Sequence, residues 1–206
     1  KTWTRIVQPQ QVFGYAHTVL QDTEQPNLLF LGTETGLYVS IDFGKNWAKW
    51  KAGFPTVPTM DLALQAREAD LVIGTFGRGI YVLDDIRPLR TIAQNQNQLQ
   101  NPLTLFQIPD ATLSNWAEAP GTRFAGAGIF AGENRPRGAM ITYALNMAKA
   151  KEGAGKEAKL PNDLVIEIYN QGGEKIRTLR RKAEDGVQRF YWGLNRKGVR
   201  GPNQPK

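Results

Sequence analysis

The chain has 206 residues, no cysteine, one histidine and a formal net charge of +7, and its 41% hydrophobic and 22% charged composition is that of a globular protein. The absent thiols exclude a disulfide scaffold, a thiolate zinc site and a cysteine nucleophile, and a lone histidine excludes a multi-histidine metal site. No apolar run reaches the ~18 residues of a membrane-spanning helix, and the opening KTWTRIVQPQ lacks the apolar core of a signal peptide.

TWTRIV at the start reads as the last strand of a preceding β unit. HTVLQDT, NLLFLGT, GLYVSID and NWAKWKA then predict four short strands in a row. TMDLALQA, DLVIGTF and GIYVLDD predict three more. Val, Leu, Ile, Tyr and Trp dominate these runs, and Gly-rich turns separate them.

The runs repeat. LLFLGTETGLYVSID and LVIGTFGRGIYVLDD share an apolar run, Gly-Thr, a short turn, Gly, then apolar-Tyr-Val. Gly32 and Gly74 lie 42 residues apart; Tyr38 and Tyr81 lie 43 apart. A period of about 40–50 residues with four strands per unit is the spacing of β-propeller blades. Propellers close with at least ~4 blades, so this segment is expected to belong to a larger propeller.

IAQNQNQLQNPL, residues 92–103, is Gln/Asn-rich and reads as a connector between domains. Beyond it LTLFQI, TRFAGAGIFAG, AMITYALN, LVIEIYN, KIRTLRR and QRFYWGLN predict further strands. YNQGGEKI carries a hairpin turn at Gly172-Gly173. MAKAKEGAGKEAKLPN, 147–162, is a charged excursion expected as a mobile loop able to form a transient helical turn. Short strands with such turns suggest a β-sandwich. The final RKGVRGPNQPK is expected to be a frayed tail, with no closing strand. Residues 91–206 carry 17 Lys and Arg against 10 Asp and Glu, whereas residues 1–90 balance at 9 against 9. The basic stretch from Lys175 to Lys206 is first a set of guarded strand edges and second a surface for an anionic partner. A nucleic-acid partner ranks last.

SIDFGKNW, residues 40–47, is the densest motif. Gly44 permits the positive φ of a tight turn. Asp42 can accept backbone N–H bonds, Ser40 adds a hydroxyl, and Trp47 buries a large ring. A calcium loop needs several oxygen side chains; here one carboxylate is present, so no metal is expected.

Asp84 and Asp85 are the nearest approach to a carboxylate pair. Glycosidases need two carboxylates facing each other ~5–10 Å apart, whereas neighbours on a strand point to opposite faces. Ion pairing with Arg78 and Arg87 is the first reading, and a half-share in a catalytic pair the second. His17 opens a strand; it reads as structural first and channel-lining second. GAGIFAG, 126–132, has a dinucleotide-like glycine spacing, but Pro136 blocks the helix that such a motif needs. No cofactor is expected. Trp3, Trp47, Trp50, Trp116 and Trp192 could stack on sugars, though core packing is the commoner fate of tryptophan.

SIDFGKNW resembles the Asp-box (BNR) motif, Ser-x-Asp-x-Gly-x-x-Trp, found in sialidases, xyloglucanase-type hydrolases, sortilin-type receptors and photosystem assembly factors. FLGTETGLYVSIDFGKNW and DLVIGTFGRGIYVLDDI resemble most closely the sortilin-like bacterial BNR-repeat proteins, often labelled glycosyl hydrolases. NRPRGAMITYALN, LVIEIYNQGGEKIRTL and FYWGLN resemble the Ig-like sandwich appended to them, similar to that of flagellar hook-capping proteins. The resemblance implies an all-β chain: a partial β-propeller of about two four-stranded blades over 1–91, a linker over 92–103, and an Ig-like β-sandwich over 104–206, unfinished at its end. It implies an extracellular or periplasmic location, and partners among the remaining blades of a parent protein, with a glycan or protein ligand. The chain departs from the pattern twice. The second repeat has no Asp-box, and Phe76 stands where GTHGRG would place a histidine. The sialidase set of three arginines, a Tyr with its Glu and an acidic Asp finds no placement. The expected function is a non-catalytic scaffold or interaction fragment; the alternative is part of a glycoside hydrolase completed by other blades.

Overall fold

The computed structural model describes residues 2–113, 135–154 and 162–196. The described residues are mostly β, with two α-helices. It divides after Asn101 into two compact units, each taken by itself.

In the first unit β1 (Ala16–Gln21), β2 (Leu29–Thr33), β3 (Gly36–Ser40) and β4 (Ala48–Lys49) form an antiparallel meander. A second meander contains β5 (Thr59–Gln65), β6 (Asp70–Thr75) and β7 (Ile80–Leu83). Six of the seven strands lie within the predicted runs, and β1 starts one residue before its run, at Ala16. TWTRIV is different: it forms no strand. Its Ile6 and Val7 instead lie along the first sheet, where Val7 packs beside the buried Val12.

The sequence repeat is also a repeat of geometry. β1 pairs Ala16 with Thr33 and then slips by a bulge to pair Thr18 with Gly32. β5 pairs Thr59 with Thr75 and slips the same way to pair Asp61 with Gly74. Thr33 Oγ1 donates to the Gly36 carbonyl at 3.1 Å, and Thr75 Oγ1 to the Gly79 carbonyl at 2.6 Å. Equivalent threonine hydroxyls therefore close the turn in each meander, the second turn being one residue longer.

Period-two alternation gives each meander two faces. Leu28, Phe30, Leu37 and Val39 point from the first sheet into a core whose other half is Leu62, Leu71 and Ile73 of the second. Tyr81 and Leu83 pack against this core. Each fully buried Leu, Ile or Phe here contributes ~1.5–3 kcal/mol. The opposite face of the first sheet, Leu29, Leu31, Tyr38 and Trp47, is covered by Val7 and Val12. β2 and β3 are thus buried on both sides, as their near-continuous apolar sequence requires.

The polar connector expected over 92–103 is instead the end of a helix followed by a 3-10 turn. α1 spans Arg87–Gln94 and the 3-10 turn Gln96–Gln100. Pro88 suits a first helical turn. Leu89, Ile92 and Ala93, at i, i+3 and i+4, make an apolar stripe; Ile92 and Ala93 are buried, and Leu89 packs on the shared core.

In the second unit β8 (Leu103–Leu105) and β9 (Ala139–Leu145) pair antiparallel. β10 (Asp163–Tyr169) and β11 (Lys175–Lys182) form a hairpin, and β12 (Gly186–Trp192) pairs with β9. The turn at Gly172-Gly173 forms as predicted, with Gly173 at φ 78° and the Asn170 carbonyl accepting from the Gly173 amide at 3.0 Å. Ile141, Tyr143, Leu145 and Phe190 from the three-stranded sheet share one apolar cluster with Leu164, Ile166 and Leu179 of the hairpin. The excursion after β9 begins as a regular helix, α2 (Met147–Ala154), with the Asn146 side chain accepting from the Lys149 amide at 3.0 Å. GAGIFAG, Trp116, residues 155–161 and the tail from 197 lie outside the described residues.

Candidate functional site

The turn between β3 and β4 holds Ser40, Asp42, Gly44 and Trp47 together, each with a structural task. The buried Ser40 hydroxyl donates to Asp42 Oδ1 at 2.8 Å and accepts from the Gly44 amide at 2.9 Å. Asp42 Oδ1 also accepts from the Asn46 amide at 2.9 Å, and Oδ2 from Asn46 Nδ2 at 2.6 Å. Burial pushes the Asp42 carboxyl upward. The side chain and amide of Asn46, the Ser40 hydroxyl and the Lys45 amide outweigh it and hold the group below its ordinary range. Asp42 is therefore ionised at neutral pH, and both its oxygens are already engaged.

Two successive residues of this turn are left-handed, Phe43 at φ 60° and Gly44 at φ 79°. The amide of Phe43 donates to the Asn27 carbonyl at 2.9 Å, which fixes the strained residue against the β1–β2 connection. A Cβ on Gly44 would lie 3.1 Å from that of Ile6. Trp47 Nε1 donates to the Ile6 carbonyl at 3.0 Å while its ring sits in the second core. The motif thus ties the turn and clamps residues 6–12 across the sheet. Asn46 and Ile6 belong to this device and were not singled out by the motif.

Asp84 and Asp85 do not lie on a strand as expected; they follow the end of β7, where Asp85 turns left-handed at φ 48°. Asp85 is 2% exposed. Its Oδ1 receives Arg87 Nη1 at 2.8 Å, and its amide donates to Asp70 Oδ1 at 2.8 Å. Arg87 is therefore one of the two arginines expected to neutralise this corner and does so, whereas Arg78 is exposed on the β6–β7 turn. Asp84 is half-buried. His17 is exposed on β1, and Phe76 is exposed on the β6–β7 turn.

A stronger ion pair lies just beyond the end of β1. Asp22, buried at the end of β1, accepts Glu24 and Gln25 amides at 3.0 and 2.6 Å and so caps the β1–β2 connection. Arg90 of α1 meets it fork to fork, with Nη2 to Oδ2 at 2.8 Å and Nε to Oδ1 at 3.1 Å, and reaches Glu24 at 2.8 Å. The partners are 68 residues apart, so no local spacing announces them.

Beside the Asp42 turn lies a groove of about 410 Å³, walled by Ile41, Trp47, Trp50, Leu89 and Ile92 and edged by Asp42, Asn46, Lys49 and Gln96. Apolar walls with a few polar groups at the rim suit an uncharged or amphipathic ligand. The lining contains no Ser, Cys, His or Tyr that could act as a nucleophile. Among the described residues no three His, Asp or Glu side chains converge as metal ligands, and no helix is long and apolar enough to cross a membrane. In the second unit both lysines of β11 meet acids, Lys175 with Glu167 at 2.7 Å and Lys182 with Glu184 at 2.9 Å, while Arg181 lies over the Phe190 ring at 4.8 Å and Arg177 Nη1 donates to the Arg196 carbonyl at 3.1 Å.

Comparison of the chain with protein-family models, with curated proteins and with solved structures returned no match.

Proposed function

We propose that this chain is a non-catalytic scaffold or interaction part of a secreted BNR-repeat protein, in which two stacked meanders act as propeller blades and the second unit as an Ig-like companion. One observation carries this reading: the polar residues that most resemble catalytic or ligand groups are engaged in holding the fold. Asp42 is saturated by its own turn, and Asp85 is buried on Arg87. Face-to-face stacking of the two repeated meanders, one face of the first on the opposite face of the second, supports the blade assignment. The partners are further blades of the same repeat, and the tryptophan-lined groove is where a glycan or protein side chain would bind.

The alternative, part of a glycoside hydrolase, needs a carboxylate free to reach a sugar. Turnover of fluorogenic aryl glycosides by the 206-residue chain separates the two. The scaffold reading expects no release above buffer. Release that disappears in Asp84→Asn, with the fold intact, would replace it with the hydrolase.

A further inference from the structure

We propose that the free edge of β4 and the groove beside it take up an extended acidic segment of a partner protein. The segment adds as a strand to β4 and sets one large apolar side chain between Trp50 and α1. The proposal rests on the interaction-scaffold reading above and names the occupant of its groove.

The edge offers bare backbone. Among the described residues β4 pairs with β3 alone. The Trp50 amide donates to the Leu37 carbonyl at 2.8 Å, so the amide and carbonyl of Lys49, one residue earlier, point away from the sheet. Such an edge is a template for an incoming strand.

The groove lies on one side of that edge. Ala48 pairs with Val39, and both lie on the face that carries Ile41 and Trp50. Ala48 is exposed and brings only a methyl group, which leaves the groove of about 410 Å³ open up to Leu89, Ile92 and Leu99. Side chains alternate along an extended strand. A residue sent into the groove therefore has neighbours on the opposite face, where Lys49 stands across from Tyr38.

Charge selects the occupant. Lys45, Lys49 and Lys51 lie on and around β4, and among the described residues none of them makes an ion pair. Helix α1 contains no acid, and its Arg87 and Arg90 are held by Asp85 and Asp22. Asp42, the acid at the groove rim, has both oxygens engaged. Lysines on an edge repel a second copy of the same edge; an acidic strand converts that repulsion into attraction. The recognised pattern is acid, large apolar residue, acid.

A fluorescein-labelled peptide Gly-Thr-Glu-Phe-Glu-Thr-Gly, titrated with the full 206-residue chain and followed by anisotropy, tests this. Binding should saturate and weaken as salt is raised. Replacing the phenylalanine by serine, or N-methylating the two glutamate amides that would face Lys49, should each weaken it about tenfold or more. Ala48→Trp, which fills the groove, and Lys49→Glu, which reverses the charge, should do the same, with circular dichroism checking that each variant is folded. The peptide series leaves the protein unchanged and decides alone if a variant does not fold. The proposal is overturned by no saturable binding, or by binding indifferent to salt, to the serine exchange or to N-methylation. Binding of cellohexaose that is lost in Ala48→Trp would give the groove to a glycan and overturn it too. Turnover of aryl glycosides does not enter this readout, so failure here is distinct from failure of the scaffold reading.

Discussion

Arg90→Ala should lower the stability of the chain by about 3–5 kcal/mol, the cost of leaving a buried carboxylate without its partner. Asp22 is 2% exposed and its ion pair with Arg90 is bidentate. The loss would spread through the first unit. Asp22 caps the β1–β2 connection, and Arg90 is the point at which α1 is tied to it. Urea unfolding followed by tryptophan fluorescence reads the change as a shift in midpoint at unchanged slope. Asp22→Ser/Arg90→Met should recover part of the loss: no charge is then buried alone, and the serine hydroxyl still accepts from the turn. A double variant as unstable as Arg90→Ala would show that packing, not charge, dominates there.

The second large effect is a contrast between equivalent glycines. Gly32→Val should cost about 3 kcal/mol or more, since its Cβ would meet the Thr59 carbonyl at 2.8 Å and the Thr18 methyl at 2.7 Å. A backbone atom cannot rotate away, so the meanders must separate. Gly74→Val should be neutral or stabilising by a few tenths of a kcal/mol, because a β-branched residue replaces glycine in an open strand. Paired thermal melts measure both. Equal losses at the two sites would mean that the two meanders do not stack through Gly32.

The strands were legible because their signals are local. Apolar runs of Val, Leu, Ile and Tyr between glycines place β1–β3 and β5–β7 within a residue or two. Gly44 could be assigned its left-handed turn because that requirement is written into a single residue. Phe43 could not, since only the packing of the turn forces a large side chain there. Helix α1 was hidden by composition. Its last residues open a Gln/Asn-rich stretch that reads as linker, while the stripe Leu89, Ile92, Ala93 after Pro88 was the signal available. The Asp22–Arg90 pair had no signal at all, because tertiary folding alone brings its members together. Asp84 and Asp85 were read as strand neighbours facing opposite ways; the chain leaves β7 before them, and Asp85 turns inward to Arg87.

The most direct test of the central claim, that the acidic candidates are structural, is equilibrium unfolding of Asp85→Asn. Asparagine tolerates the left-handed conformation at this position, so the change removes the charge and leaves the backbone. Arg87 is partly exposed and can be resolvated, which limits the loss to about 1–3 kcal/mol. A drop of that size is the expected result. An unchanged or raised midpoint would contradict the account, because a carboxylate kept at a cost to stability is the mark of a functional group.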